Sequence, residues 1–271
     1  LEEEYRRDIK KKILKNLSKR SGGAPSRLLI DEDMPSEIRE LVAKSLGLDV
    51  KSFVNGARYH NYFDFFGFPN AGGPNLEYTK QEEIKVSELE EASSMLDLIE
   101  DQDQLLHFPY HPYDYVLRLF NEAATDHSVK EIRATMYRMS SSSAIAKALI
   151  NAAKNGKKVV VFVELKARFD EQNNIDWSEK MKAAGVKIIY SIPDIKVHAK
   201  VALITRKKAG KESRIAFYGT GNFNEKTAAI YTDHALLTGD TDMNEELHRL
   251  LRHLENGKTN PKPKELLIAR F

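Results

Sequence analysis

Val159-Val160-Val161-Phe162-Val163 is an unbroken apolar, mostly β-branched run. Such a run reads as a central strand covered on both faces, because a half-exposed strand would alternate apolar with polar residues. Just before it, residues 144–155 form an alanine-rich helical stretch closed by Gly156. Just after it, a helix over about 175–184 stops at Gly185, and 186–190 supplies the next strand. Further out, 112–125 predicts a helix and 132–137 a strand. Lys196-Val197-His198-Ala199-Lys200-Val201-Ala202-Leu203-Ile204 reads as another buried strand. Lys207-Lys208-Ala209-Gly210-Lys211 then turns into 214–218 as an antiparallel hairpin, followed by a strand at 233–237 and a helix at 243–254. Strands alternating with helices predict an α/β fold, a mixed, largely parallel sheet with helices on both faces. Functional sites in such sheets gather at strand ends.

The first part is less regular. Arg27-Leu28-Leu29-Ile30-Asp31 suggests a short strand, and a helix follows Asp33 with Pro35 in its first turn and Gly47 as its stop. Ile38, Leu41, Val42, Ser45 and Leu46 give that helix one apolar stripe. An aromatic stretch at 59–68 precedes the turn-rich Pro69-Asn70-Ala71-Gly72-Gly73-Pro74-Asn75. The charged segment 80–91 is expected to be a solvated bridge between two units, with a boundary near 93–103. The chain starts without methionine and ends on Lys264-Glu265-Leu266-Leu267-Ile268-Ala269-Arg270-Phe271, so it is expected to be an excised piece of a longer polypeptide.

Composition narrows the function. No apolar run reaches membrane-spanning length, and no signal segment opens the chain. The absence of cysteine removes disulfides and thiolate metal sites. A formal net charge of +2 is too small to argue for nucleic acid on bulk electrostatics. Recognition of a polyanion must come from local clusters.

Side chains two apart on a strand share a face, so His198 and Lys200 project together, opposite Val197, Ala199, Val201 and Leu203. An imidazole beside a fixed cation suits attack on phosphorus: the ring supplies the lone pair and the ammonium neutralises phosphoryl oxygens. The pattern also fits a core histidine bonded to backbone, but a buried lysine is rare without a partner or a task. Arg138 and Arg168 follow two strands and would make a fork-shaped phosphate clamp. Ser140 to Ser143 either donate to an anion at the next helix start or simply cap that helix. Gly219-Thr220-Gly221-Asn222-Phe223-Asn224 follows a strand and either lets backbone N–H groups approach phosphate or is a plain turn. Tyr231 either stacks on a base or packs at a strand entry. Glu164, Asp170 and Glu171 are candidate Mg²⁺ carboxylates, with surface carboxylates the commoner outcome. The remaining histidines show no metal-ligand spacing.

Together, Leu105-Leu106-His107-Phe108-Pro109-Tyr110, Thr135-Met136-Tyr137-Arg138, Glu164-Leu165-Lys166-Ala167-Arg168-Phe169-Asp170-Glu171-Gln172-Asn173-Asn174, Val197-His198-Ala199-Lys200, and Gly219-Thr220-Gly221-Asn222-Phe223-Asn224 with Tyr231-Thr232-Asp233 resemble the bacterial polyphosphate kinase family. The resemblance is to the type with phospholipase D-like catalytic domains, and it covers about 103–239. Looser matches at Asp33-Met34-Pro35 and Leu46-Gly47-Leu48-Asp49 suggest the end of an α+β head domain. The resemblance implies a partial head domain and connector over 1–95, a phospholipase D-like catalytic domain over 96–260, and the truncated start of a second over 261–271.

It further implies reversible transfer of the ATP γ-phosphate to inorganic polyphosphate through a phosphohistidine at His198, with Lys200 as its partner. Tyr231, Arg138, Arg168 and Asn222 would bind nucleotide or substrate. Arg138 and Arg168 match Mg²⁺-associated positions; a guanidinium cannot ligate a cation, so they would either clamp phosphate close to the metal, an indirect association, or offer backbone carbonyls to it. The parent protein would be a cytoplasmic homo-oligomer, with membrane association open and no nucleic-acid partner. Two departures stand out. The aspartate of the general phospholipase D pattern is missing from Val201-Ala202-Leu203-Ile204-Thr205, and only one of two histidine half-sites is present. This piece alone is therefore expected to turn over little. A phospholipase D-like phosphodiesterase or nuclease, or a polyanion-binding module, are the alternatives.

Overall fold

A computed structural model describes residues 10–16, 19, 22–23, 25–79, 81–167, 170–190, 196–257, 261 and 263–269. The chain divides into two compact units, Lys15–Lys80 and Leu1–Leu14 with Gln81–Phe271. In the smaller unit, β1 (Leu28–Asp31) pairs in parallel with β2 (Phe53–Gly56). Between them runs α1 (Ser36–Leu46), entered through Pro35 and ended by Gly47 at φ 63°. That positive φ is why a glycine stands there. The apolar stripe of α1 lies largely in solvent, with Leu41 64% exposed. The aromatic stretch forms a 3₁₀ helix at Tyr62–Gly67 whose rings are exposed.

The larger unit carries two short helices, α2 (Ser87–Glu91) and α3 (Met95–Asp101), then β3 (Gln104–Phe108) and α4 (Asp114–Thr125). Next come β4 (Val129–Met136), α5 (Ala144–Lys154), β5 (Lys158–Val163), α6 (Glu171–Ala183) and β6 (Lys187–Tyr190). The chain finishes with β7 (Lys200–Lys208), β8 (Lys211–Gly219), α7 (Glu225–Ala228), β9 (Asp233–Thr238) and α8 (Thr241–Asn256). The seven strands lie in the order β3-β9-β8-β7-β4-β5-β6. The apolar run of β5 sits between β4 and β6 and is buried from Val159 to Val163. Ile132, Ala134, Val161, Ala202 and Ile204 pack on one side with residues of α3 to α6. Val160, Phe162, Val201, Leu203 and Ala216 pack on the other with Leu247 and Leu251 of α8. The sheet is mixed and flanked by helices, as expected.

"Largely parallel" describes this sheet only in part. Five strands point one way, but only the β4–β5 and β5–β6 ladders are parallel; the other four are antiparallel. The chain returns after β6 to the middle of the sheet, and β7 inserts against β4 in the opposite sense. Sequence order does not reveal such a return. The hairpin expected at 207–211 closes through Ala209 and Gly210, at φ 48° and 83°. Two positive values suit a two-residue turn that follows the strands' twist.

Segment 81–91 is mostly solvent-exposed, as its charge predicts, but it belongs to the larger unit and is anchored to it. Ile84 N–H donates to Tyr110 O, Val86 N–H to the Tyr115 hydroxyl, and Leu89 is fully buried. Arg118 of α4 donates to the carbonyls of Leu89 and Ala92. Two apolar residues among many charges are enough to anchor a short helix when a neighbour satisfies its end.

Candidate functional site

The C-terminal ends of β4, β5 and β8 and the N-terminal ends of β7 and β9 meet at one rim of the sheet. His198 lies there in an extended segment just ahead of β7, rather than inside a buried strand, and its side chain is exposed. Side chains replace the ladder at this point. The Thr135 hydroxyl donates to Ala199 O at 2.6 Å and accepts from Val201 N–H at 3.1 Å. Glu164, almost fully buried, accepts from Val197 N–H at 3.1 Å and from Lys166 N–H at 2.9 Å. The backbone of His198 is therefore held from both sides.

Lys200 is the first residue of β7 and only 7% exposed. Its ammonium donates to His198 O at 2.7 Å and stands 3.1 Å from Nδ1 and 3.2 Å from Nε2 of the ring. An in-plane bond to one imidazole nitrogen would leave the other clearly farther away, so near-equal distances leave the in-plane lone pair available. Among the described residues, neither Lys200 nor Lys196 forms an ion pair. Arg138, two residues after the end of β4, pairs through Nε with the Asp170 carboxylate at 3.2 Å.

Electrostatics follow from this crowding of positive charge. Burial of part of the His198 ring lowers its pKa below the usual imidazole value, and Lys200, Lys196 and Arg138 lower it further. The neutral, nucleophilic form is thereby favoured at neutral pH. Burial also lowers the pKa of Lys200; Asp233 opposes the shift, while Arg138 and Lys196 add to it.

The other expected residues divide. Arg138 joins the cluster, whereas Arg168 lies outside the described residues. Tyr231 is 62% exposed in the turn before β9, its N–H bonded to Thr227 O. Asn222 is partly buried, and its Oδ1 has no hydrogen-bond partner among the described residues. Ser143 caps α5 by accepting from Ala146 N–H, and the Glu225 carboxylate accepts from Ala144 N–H at 2.7 Å. The start of α5 thus already holds an anion, from the protein itself. In the Gly219-Thr220-Gly221 loop, the Thr220 hydroxyl donates to Asp233 at 2.8 Å and accepts from His234 N–H. A Cβ at Gly221 would collide with the Asp233 carboxylate. That glycine allows close approach to a carboxylate two strands from Lys200.

A resident Mg²⁺ does not fit the described side chains. Both oxygens of Glu164 accept backbone N–H groups, Asp170 is engaged by Arg138, and no three metal-ligating side chains come together. The residues that sequence reasoning left without a role are Lys196, Thr135, Asp233 and Tyr137. Tyr137 carried one usable signal, since it directly precedes Arg138 at a strand end.

The family model described as Polyphosphate kinase C-terminal domain 1 matches residues 94–260, and that described as Polyphosphate kinase middle domain matches 1–68. The chain is 43% identical over 242 residues to the polyphosphate kinase of Yersinia pestis, covering 89% of this chain and 35% of that protein. To the polyphosphate kinase of Escherichia coli K12 it is 42% identical over 244 residues, covering 89% and 36%. Among solved structures, the crystal structure of polyphosphate kinase from Porphyromonas gingivalis superposes with a TM-score of 0.75 at 43% identity, covering 92% of this chain and 38% of that one. The chain spans about a third of the length of the curated relatives it matches.

Proposed function

The chain belongs to the polyphosphate kinase family, and from that premise we propose that it supplies the nucleophile of a reversible phosphoryl transfer between ATP and inorganic polyphosphate. What carries this reading is the partly exposed imidazole of His198, beside Lys200 in a cluster whose lysines have no carboxylate partner among the described residues. Such an arrangement has positive charge to spare for an anion.

In the proposed mechanism, Nε2 of neutral His198 attacks the γ-phosphorus, the N–P bond forms, and the bond to the β,γ-bridging oxygen breaks to release ADP. Lys200, Lys196 and Arg138 hold the phosphoryl oxygens while charge moves onto the leaving group. A terminal oxygen of polyphosphate then attacks the same phosphorus, the N–P bond breaks, and the imidazole returns neutral. Arg168, Tyr231 and Asn222 keep the nucleotide- and substrate-binding roles that the resemblance implies. Mg²⁺ would enter as the counter-ion of the nucleotide substrate rather than as a metal held by the described side chains.

The acceptor is polyphosphate rather than nucleic acid, and the parent protein works as a cytoplasmic homo-oligomer. No helix among the described residues is long and apolar enough to cross a membrane.

The test is incorporation of ³²P from γ-labelled ATP. The expected product is base-stable, acid-labile label on His198, absent in His198→Ala. Cleavage of a phosphodiester without nucleotide, and no label, would instead favour a phospholipase D-like hydrolase.

A further inference from the structure

The ring of Tyr137 stands at the centre of the cluster. Its centroid lies 4.5 Å from that of His198, with the planes at 84°. Lys196 Nζ and Lys200 Nζ are each 5.4 Å from the Tyr137 centroid, and Arg138 Cζ is 5.9 Å from it. Three cations and an imidazole thus share one aromatic neighbour.

Cations gathered this closely repel one another, and each must be held against that repulsion. A central carboxylate would hold them, but it would also cancel the charge that a phosphoryl group requires. Among the described residues, the nearby carboxylates are otherwise engaged: Asp170 pairs with Arg138, Glu164 accepts backbone N–H groups, and Asp233 accepts from Thr220. An aromatic face attracts each cation through its quadrupole and carries no net charge. It gathers positive charge without consuming it. The edge-to-face contact also fixes the tilt of the imidazole, because such pairs favour a definite mutual angle.

We propose that Tyr137 is the positioning residue of this site: its ring collects Lys196, Lys200 and Arg138 around His198 and sets the imidazole plane for attack on phosphorus. The consequence for catalysis rests on the phosphohistidine reading, whereas the geometric role does not.

The experiment uses the full-length protein that contains this chain. Tyr137→Met, close in size but without a ring, is expected to slow single-turnover labelling of His198 by about tenfold or more. Tyr137→Phe, which keeps the ring, is expected to restore most of that rate. Because Tyr137→Met could disturb folding, phenylalanines carrying one to five fluorines are also placed at 137. They keep the shape and progressively weaken the negative ring face, so the logarithm of the labelling rate should fall stepwise. In parallel, NMR titration of ¹³C-labelled histidine should find the His198 pKa below the usual imidazole value with Tyr or Phe at 137. It should move back towards that value as fluorines are added and the cations disperse. Equal rates and equal titrations across the fluorinated series would overturn the proposal and leave Tyr137 as packing alone. Absence of label in the unsubstituted protein would overturn the phosphohistidine reading, and the titration series would still decide the positioning role.

Discussion

Strand β7 carries a buried cation near each end, and the two are treated in opposite ways. Arg206 is 2% exposed and donates to Glu100 and Asp97 at 2.7 Å and to Asp126 at 3.2 Å. Lys200, six residues away on the same face and about 20 Å along the strand, meets an imidazole, a carbonyl and an aromatic ring. Removing a charge from water is costly in both places. At Arg206 three carboxylates offset the cost within the fold, so nothing is left for a ligand. At Lys200 no carboxylate among the described residues offsets the cost, and under the proposed function an incoming phosphoryl group would complete the pairing. A second structural cation, Arg133, follows the Arg206 pattern: it is fully buried between Glu131 and Glu255. A buried cation short of carboxylates is therefore the better guide to the site than a buried cation as such.

This contrast can be broken most directly at Lys200. Lys200→Met is expected to slow labelling of His198 by about 10²–10³-fold, the cost of losing one preorganised charge at a reacting centre. Its melting temperature should hold or rise, since an unpaired buried charge disappears. A large loss of stability with unchanged labelling would reverse the assignment of the two ends of β7.

Arg206→Met should behave in the converse way. Breaking a buried pair costs about 3–5 kcal/mol, and the partial exposure of the three carboxylates reduces this to about 2–3 kcal/mol here. Urea unfolding measures that loss, while labelling per folded molecule should stay the same.

The two ends should also separate by pH. In the proposed mechanism neutral His198 attacks, and burial and the neighbouring cations lower its pKa from the usual 6.5, so the acid limb of the labelling rate should fall below that value. In Lys200→Met the residual rate should have its acid limb moved upward, because a nearby positive charge has gone. At the other end, the hydrogen bond from Arg206 is the main cause holding the Asp97 carboxyl below 3.8. The folded state then binds that proton less tightly than the unfolded chain does. The resulting stability is full above the ordinary carboxylate value and is lost as pH falls through the lower folded value. The unfolding curves of the unsubstituted protein and Arg206→Met should accordingly begin to converge as pH falls below about 4, the ordinary carboxylate value, and approach each other further towards the lower folded value.

The smallest effect is expected at Lys208, which reaches Asp97 at 3.1 Å from a well-exposed position. Lys208→Ala should cost about 0.5 kcal/mol or less, as exposed pairs do. A cost comparable to that of Arg206→Met would mean that burial is not what separates structural from surface cations here.

Much of the α/β frame was readable in advance, and for a local reason. Helix stops at Gly47, Gly156 and Gly185 stand at positive φ, and the apolar run of β5 lies within six residues. Short strands were harder. β2 and β3 have too few residues to show a period, and β3 is an edge strand whose side chains alternate only from Gln104 to Phe108. The polar groups of 81–91 concealed the buried Leu89. Within the site, the His198–Lys200 pair was visible because two-residue spacing is itself a statement about faces. The functions of Ser143 and of Gly221 were not, since a cap and an anion site use the same donors.

The candidacy of His198, Lys200 and Arg138 for one site, and the alternation that places them at strand ends, were legible in the amino-acid order alone. Periodicity, capping and turn chemistry act over a few neighbouring residues. Only the folded chain decided that β7 returns antiparallel to the centre of the sheet and that Thr135 and Glu164 hold the His198 segment from 64 and 33 residues away. It also decided that Tyr137 stands among three cations. Contacts between distant segments depend on which strands become neighbours, and that choice is made by burying the whole core together rather than by any one stretch.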